Sequence, residues 1–370
     1  MATIRALTDD DLAGVAGLFA RIYPDYGWSS PADCERYFRE MLFEHPWGEL
    51  ELPSWVAEEG GRIVGLYAVQ PRRMLFDGRP LRVAVGCQYM VDPAFRQGGM
   101  TALQLAKVCL SGPQDLTIAD GANEDSMRIW SAISGSVPLL NSLYWTRPLR
   151  PAHYALALLE ARTGSPNALT CTARPFAALL DALAARAGPN RFLREAGDLT
   201  EEPLDAQTML AHLPAVLRGY AVQPVYDERS LDWLLAQAAR KTLHGELRAR
   251  AVRDRAHRLA GWYLHYVRAG GVSEVLQIAA LEGSFDRVLT RLLADAWRQG
   301  ALAVHGRLEP RFARELSARH AWLRTDGPWT LAHSRHAEIM RAIHEGAAFL
   351  SRLDGEWWQR WRLRLPEAPA

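Results

Sequence analysis

The sequence predicts an α/β chain of the α+β kind, in which a mixed, mostly antiparallel sheet is flanked by helices and the arrangement occurs twice in tandem. Three observations carry this. Residues 54–91 alternate as strands and break at two glycine turns. Residues 85–119 read strand, helix, strand, a parallel crossover inside that sheet. The order of elements in residues 1–150 then returns after residue 190.

In chain order, residues 2–7 (ATIRAL) read as a short strand and TDDDLAGVAGLFARIY as a helix. Thr8 can cap that helix, three acidic residues occupy its first turn, and apolar residues recur at 12, 15, 18, 19 and 22. A second helix over 29–44 has Ser29 or Ser30 as its cap and Pro31 early. Gly60-Gly61 and Asp77-Gly78 are hairpin signals, so 54–59, 62–75 and 80–91 form an antiparallel meander. A helix at 99–110, a strand at 115–119, a helix at 123–133 and a strand at 140–148 close a first domain, 1–150. Residues 151–189 are Ala-rich, a helical connector interrupted by GSPN and AGPN. The second domain, 190–370, has a strand at 191–197, helices at 204–218 and 228–240, and strands at 247–253, 258–268 and 272–281. A helix at 285–299, a strand at 301–307, a helix at 309–319 and strands near 322–333 complete it.

The bulk composition excludes several classes. With 370 residues, 49% hydrophobic and 23% charged, the chain reads as two or three globular domains. A net charge of +1 recommends neither nucleic acid nor a membrane surface as partner. Cys34, Cys87, Cys109 and Cys171 form no C-x-x-C pair, and His333-Ser-Arg-His336 gathers no acidic or cysteine ligands at zinc spacing, so no metal is expected. No apolar run approaches the ~18 residues of a membrane helix. MATIRALTDDDL lacks the pattern of a secretory signal, which makes the cytoplasm the expected compartment. Oligomeric state is not legible.

The chemistry concentrates in VDPAFRQGGMTALQLAK, residues 91–107. A helix N-terminus carries unpaired N–H groups and about half a positive charge, and so receives anions. Gly98 and Gly99 let backbone approach a ligand closely, and Arg96 adds a planar donor suited to phosphate oxygens. A capped helix after a tight turn is the alternative reading.

Arg96-Gln97-Gly98-Gly99-Met100-Thr101 resembles the R/Q-x-x-G-x-G/A motif of the GNAT (Gcn5-related N-acetyltransferase) superfamily, with Thr101 where Gly or Ala is usual. MVDPAF resembles the strand ending that precedes it, and Asn123-Glu-Asp-Ser126-Met-Arg-Ile-Trp130 resembles the family's N-x-x-A-x-x-x-Y helix. The resemblance covers 1–150, and the returning pattern resembles tandem members of the family. It implies acetyl-CoA or another short acyl-CoA as co-substrate and a small-molecule or sugar amine as acceptor. Pyrophosphate would sit on the N–H groups of Gln97 to Thr101, and pantetheine would pair with backbone of Met90 and Val91 near Asn123. Backbone N–H near Tyr89 to Val91 would stabilise the oxyanion. Trp130 stands where many relatives have the tyrosine that protonates the leaving thiolate, so either solvent or another group, with Tyr144 and Tyr89 as candidates, serves as acid; Asp120, at the end of the fifth strand, is the candidate base. Cys87 reads as core. The second half has no such motif around Gly283-Ser284 and reads as a degenerate copy, with a Trp/Arg tail (Trp357, Trp358, Trp361) that packs. A non-catalytic acyl-CoA-binding or regulatory protein is the alternative function.

Overall fold

A computed structural model describes residues 2–25, 30–48, 51–96, 100–165, 168–186, 196 and 199–359. In chain order the first elements are β1 (Thr3–Ala6), α1 (Leu12–Ile22), α2 (Pro31–Leu42), β2 (Trp55–Glu59), β3 (Arg62–Phe76) and β4 (Arg79–Val91). α3 (Met100–Leu110), β5 (Leu116–Ala122), α4 (Glu124–Ala132), β6 (Tyr144–Pro148), α5 (Pro151–Thr163) and α6 (Ala168–Arg186) follow. The remainder comprises β7 (Thr200–Pro203), α7 (Ala206–Val216), β8 (Val222–Pro224), α8 (Glu228–Ala239), β9 (Glu246–Arg253), β10 (Leu259–Val267) and β11 (Val272–Ala280). α9 (Phe285–Arg298), β12 (Ala303–Arg307), α10 (Ala313–Ala318), β13 (Trp322–Arg324), β14 (Trp329–His333) and α11 (Ala337–His344) end it.

These elements form two mixed sheets flanked by helices. The first runs β1-β2-β3-β4-β5-β14, with β8 beside β3; the second runs β13-β6-β12-β11-β10-β9-β7. Local chemistry explains the turns. Gly60-Gly61 and Asp77-Gly78 all have positive φ, the requirement of a two-residue hairpin of primed type. Ser30 caps α2 by accepting the Asp33 N–H, and Asn123 caps α4 by accepting the Ser126 N–H.

The chain divides into two compact units that are interleaved in sequence. One comprises Met1–Ser142, Gly219–Leu243 and the chain from Pro328 onward; the other comprises Leu143–Arg218 and His244–Gly327. The expected boundaries, 1–150, 151–189 and 190–370, do not follow these units. The reason lies in where two strands satisfy their backbone groups. β6, expected to close the first sheet, instead pairs antiparallel with β12 and β13 in the second. β14 pairs antiparallel with β5, from Trp329↔Ala122 to His333↔Thr117, and takes the place in the first sheet that β6 leaves. The strand expected at 191–197 lies almost wholly outside the described residues, and β7 follows it.

In the first unit, one face of the sheet packs Tyr67, Val69 and Ala84 against Leu105, Cys109 and Trp130. The other packs Met74, Val83 and Ile118 against Ile339 and Ile343 of α11, a helix the sequence reading did not anticipate. In the second unit, Val288, Leu289 and Leu292 of α9 fill the core over Tyr263, Val275 and Ile278. Among the described residues no helix is long and apolar enough to cross a membrane, and no three His, Cys, Asp or Glu side chains gather as a metal site.

Candidate active site

The site begins where two parallel strands part. β4 and β5 pair only at Val83↔Leu116, Ala84↔Thr117 and Val85↔Ile118. Beyond Val85, β4 keeps β3 on one side, and among the described residues no strand covers its other edge. A bulge at Gln88, the residue skipped between Tyr67↔Tyr89 and Ala68↔Cys87, bends the strand away. Gln88 has φ +51°, a conformation that non-glycine residues rarely adopt. The parting leaves a cavity of about 300 Å³ between Gly86–Tyr89 of β4 and Ala119–Ala122 of β5. Asn123, Ser126 and Trp130 of α4 and Phe19 and Tyr23 of α1 contribute to its walls. Uncovered strand edge beside a slot suits a linear, amide-bearing ligand, which can pair with backbone as an added strand does.

A carboxylate enters this cavity from the far end of the chain. Glu356 lines it, and its Oε1 accepts the Gly121 N–H at 3.2 Å. A Cβ at Gly121 would come within 3.0 Å of that oxygen, so glycine permits the approach. The segment that delivers Glu356 is tied down along its length. Asp120 Oδ1 accepts the N–H groups of Glu356 and Trp357 at 2.6 and 3.0 Å. Asp354 accepts from the Tyr226 and Ser351 hydroxyls, and the Gln359 amide donates to Gln70. Trp357 lies under the Arg352 guanidinium, 3.9 Å from ring centre to carbon. A Cβ at Gly355 would overlap the Asp120 carboxylate, so this turn also needs glycine.

Tyr67, Tyr89 and Trp130 line the same cavity as Glu356. Tyr67 crosses from β3 over Gly86, where a Cβ would stand 2.8 Å from its hydroxyl. Tyr89 packs on the Tyr67 ring at 4.8 Å and donates its proton to the Ala102 carbonyl at 2.6 Å. Burial raises the pKa of both phenols and of the Cys87 thiol, so all three are protonated at neutral pH.

The sequence-derived candidates separate accordingly. Asp120 lies beside the cavity, but its carboxylate accepts two backbone N–H groups and acts as the clasp of the C-terminal segment. Tyr144 is in the second unit, buried on β6 and stacked on His305 at 5.3 Å, because β6 belongs to the second sheet. Tyr89 lines the cavity with its hydroxyl committed to α3. Met90 and Val91 are buried, and the Val91 carbonyl accepts from Arg96 Nε at 2.8 Å. Asn123 is at the cavity wall as the cap of α4, and Met100 and Thr101 open α3. Gln97, Gly98 and Gly99, like Trp361, lie outside the described residues. Glu356 and Tyr67 escaped the sequence reading. The one signal for Tyr67 was a glycine, Gly86, on the neighbouring strand; for Glu356 there was only an isolated acid beside a glycine in an aromatic tail.

No family model and no curated protein matches this chain. Solved structures do match it. A GCN5-related N-acetyltransferase from Kribbella flavida aligns over 91% of this chain and 72% of its own, at 12% identity and a TM-score of 0.55. One from Anabaena variabilis aligns over 91% and 74%, at 12% identity and a TM-score of 0.56. A conserved protein of unknown function from Enterococcus faecalis, a probable N-acyltransferase, aligns over 90% and 73%, at 11% identity and a TM-score of 0.55. The chain therefore has the GNAT fold, as its motifs imply.

Proposed function

We propose that the first unit is an acyl-CoA-dependent N-acyltransferase, which transfers an acetyl or other short acyl group to an amine of a small molecule or sugar by direct attack. The two units are then two copies of one fold, and only the first is catalytic. The observation that carries the reading is a carboxylate, Glu356, held in a cavity that opens where β4 and β5 part. The uncovered edge of β4 fits the amides of pantetheine, and the sequence Arg96–Thr101, which leads into α3, fits the pyrophosphate. Acyl-CoA supplies an activated thioester. Glu356 takes the proton that the amine sheds as it attacks, and backbone N–H groups of bulged β4 face the developing oxyanion. Asp120 positions Glu356 through the two N–H groups it accepts. Cytoplasmic location agrees with this co-substrate.

The test is thiol release from acetyl-CoA with a panel of amines, run on wild type and Glu356→Gln. Loss of a general base lowers kcat by roughly 10²- to 10⁴-fold. Calorimetric CoA affinity is expected to stay the same, because the amide keeps an oxygen for Gly121 N–H. Equal kcat in the variant removes Glu356 from the role. One observation favours the alternative, a non-catalytic acyl-CoA binder: α4 presents an indole, Trp130, at the cavity. That alternative predicts CoA binding with no thiol release for any amine.

A further inference from the structure

The second unit leaves an apolar surface exposed on the paired helices α5 and α6. We propose that this hairpin is a dimerisation surface, and that its occupant is the same hairpin of a second copy of this chain. The two would meet about a two-fold axis as a four-helix bundle. All the residues involved belong to the second unit, so the proposal stands apart from the acyl-transfer reading.

Twelve large apolar side chains are exposed among the described residues, and six of them lie on these two helices. Phe176, Leu179, Leu180 and Leu183 of α6 recur at i, i+3, i+4 and i+7, the spacing by which a helix turns one face to a core. Phe176 is 71% exposed and the three leucines are 53–60% exposed. Leu158 and Leu159 of α5, the helix packed beside α6, are exposed too. The polar groups of the hairpin are spent inside it. Asp181 is buried and accepts the N–H groups of Ala152 and His153 at 2.8 and 3.2 Å, at the start of α5. Arg174 of α6 pairs with Glu160 of α5 at 3.1 Å. Asp181 is the one ionisable residue between 176 and 183, and it faces α5.

Area, charge and shape choose the occupant. The six side chains present roughly 600 Å² of apolar surface on one copy, so two copies remove about 1,200 Å² from water, where stable specific interfaces begin. Exposed Ala178 and Ala182 of the same helix enlarge that area. An anionic lipid surface or a nucleic acid calls for a cluster of basic residues beside the apolar face, and α5 and α6 contain no lysine. An uncharged helix pair is instead the complement of itself. A two-fold axis lays α6 on α6 with no charge on either stripe to repel the other.

Sedimentation equilibrium of the full chain at micromolar concentration is expected to give twice the mass of one chain. The double variant Leu179→Glu/Leu183→Glu puts two charges in the stripe and is expected to halve that mass, with the circular dichroism spectrum unchanged because both side chains are exposed. A wild type at the mass of one chain overturns the proposal, and so does a folded variant that remains double. A wild type of single mass that floats with phosphatidylcholine vesicles overturns it in favour of a lipid surface. Should the variant fail to fold, the wild type carries its own reporter. Cys171 of α6 is exposed, while Cys34, Cys87 and Cys109 are buried. Nitroxide labels on Cys171 of two copies joined through α6 are expected within roughly 45 Å by pulsed dipolar spectroscopy, because the helix is about 30 Å long and packed helices lie about 10 Å apart. A dimer without that coupling joins through another surface and overturns the proposal.

Discussion

Each unit contains a parallel strand pair with three rungs, and the surroundings of the two pairs differ. β4 and β5 part after Val85; β11 and β12 are paired at Val272↔Ala303, Ser273↔Val304 and Glu274↔His305 and then part too. Each outer partner carries a bulge on its other edge, at Gln88 in one unit and at Leu276 in the other. Gln88 has a left-handed backbone and faces a cavity, whereas Leu276 is buried. The helices that follow differ in the same sense. Met100, the first residue of α3, is 55% exposed; Phe285, the first residue of α9, is buried and stacked on Phe312 at 3.8 Å. The parted strands of the first unit border a cavity and precede an exposed helix start, whereas Leu276 and Phe285 of the second unit are core.

The second unit also shows why geometry alone does not make a site. His265 Nδ1 lies 2.7 Å from the Ser273 hydroxyl and its Nε2 lies 3.0 Å from Asp295, the outline of a nucleophilic triad. All three side chains are fully buried, and Arg248 grips the same carboxylate through two bonds of 2.7 and 2.9 Å. Burial alone would raise the pKa of Asp295, but the bonds from His265 and Arg248 outweigh it and hold the carboxyl below its usual range. This is a polar strut inside a core.

The largest effect expected from the comparison is at the helix starts. Gly99→Glu places a side chain and a negative charge where pyrophosphate is proposed to sit, and a loss on the order of a thousandfold in CoA affinity is expected by calorimetry. Ser284→Glu, at the corresponding point before α9, is expected to leave CoA affinity unchanged. Loss of binding in both variants would mean that the second unit also holds ligand, and the contrast between them would fail. Next in size is Asp295→Ala. Removing one partner of a buried ion pair leaves Arg248 and His265 uncompensated and costs about 3–5 kcal/mol in denaturant unfolding. A cost below about 1 kcal/mol would show that the cluster is hydrated and open.

Local elements were legible because their signals are local. Gly60-Gly61, Asp77-Gly78 and Ser30 mark two turns and a cap from side-chain chemistry alone, and the structure places them there. Strand partnership was not legible. YWTRP reads as a strand in either sheet, because alternation states which residues face a core and not which core. The exchange of β6 and β14 therefore misplaced Tyr144. The partners of Asp120 were not legible for a related reason: its two donors lie 236 and 237 residues downstream. Glu356 could not be found without them.

The smallest expected effect separates two buried bases, one per unit. Burial lowers the pKa of Lys241 to about 7, with Arg240 adding to the shift and Glu40 opposing it; its ammonium faces the Tyr37 ring at 5.0 Å. Burial likewise lowers the pKa of His265, despite its bond to Asp295. Both folded pKa values lie below the unfolded ones, so in each case the unfolded chain binds more protons and stability rises with pH. The windows differ. For Lys241 it runs from about 7 to the unfolded value near 10.4; for His265 it lies below about 6.5. From pH 7 to pH 9 the Lys241 contribution should rise by about 2–3 kcal/mol, at about 1.4 kcal/mol per unit. Lys241→Met removes that slope, so its advantage over wild type in denaturant unfolding is expected to be largest at pH 7 and to shrink by pH 9. A constant difference between the two proteins over that range would show that Lys241 remains charged where it is buried, held by Glu40 and the Tyr37 face.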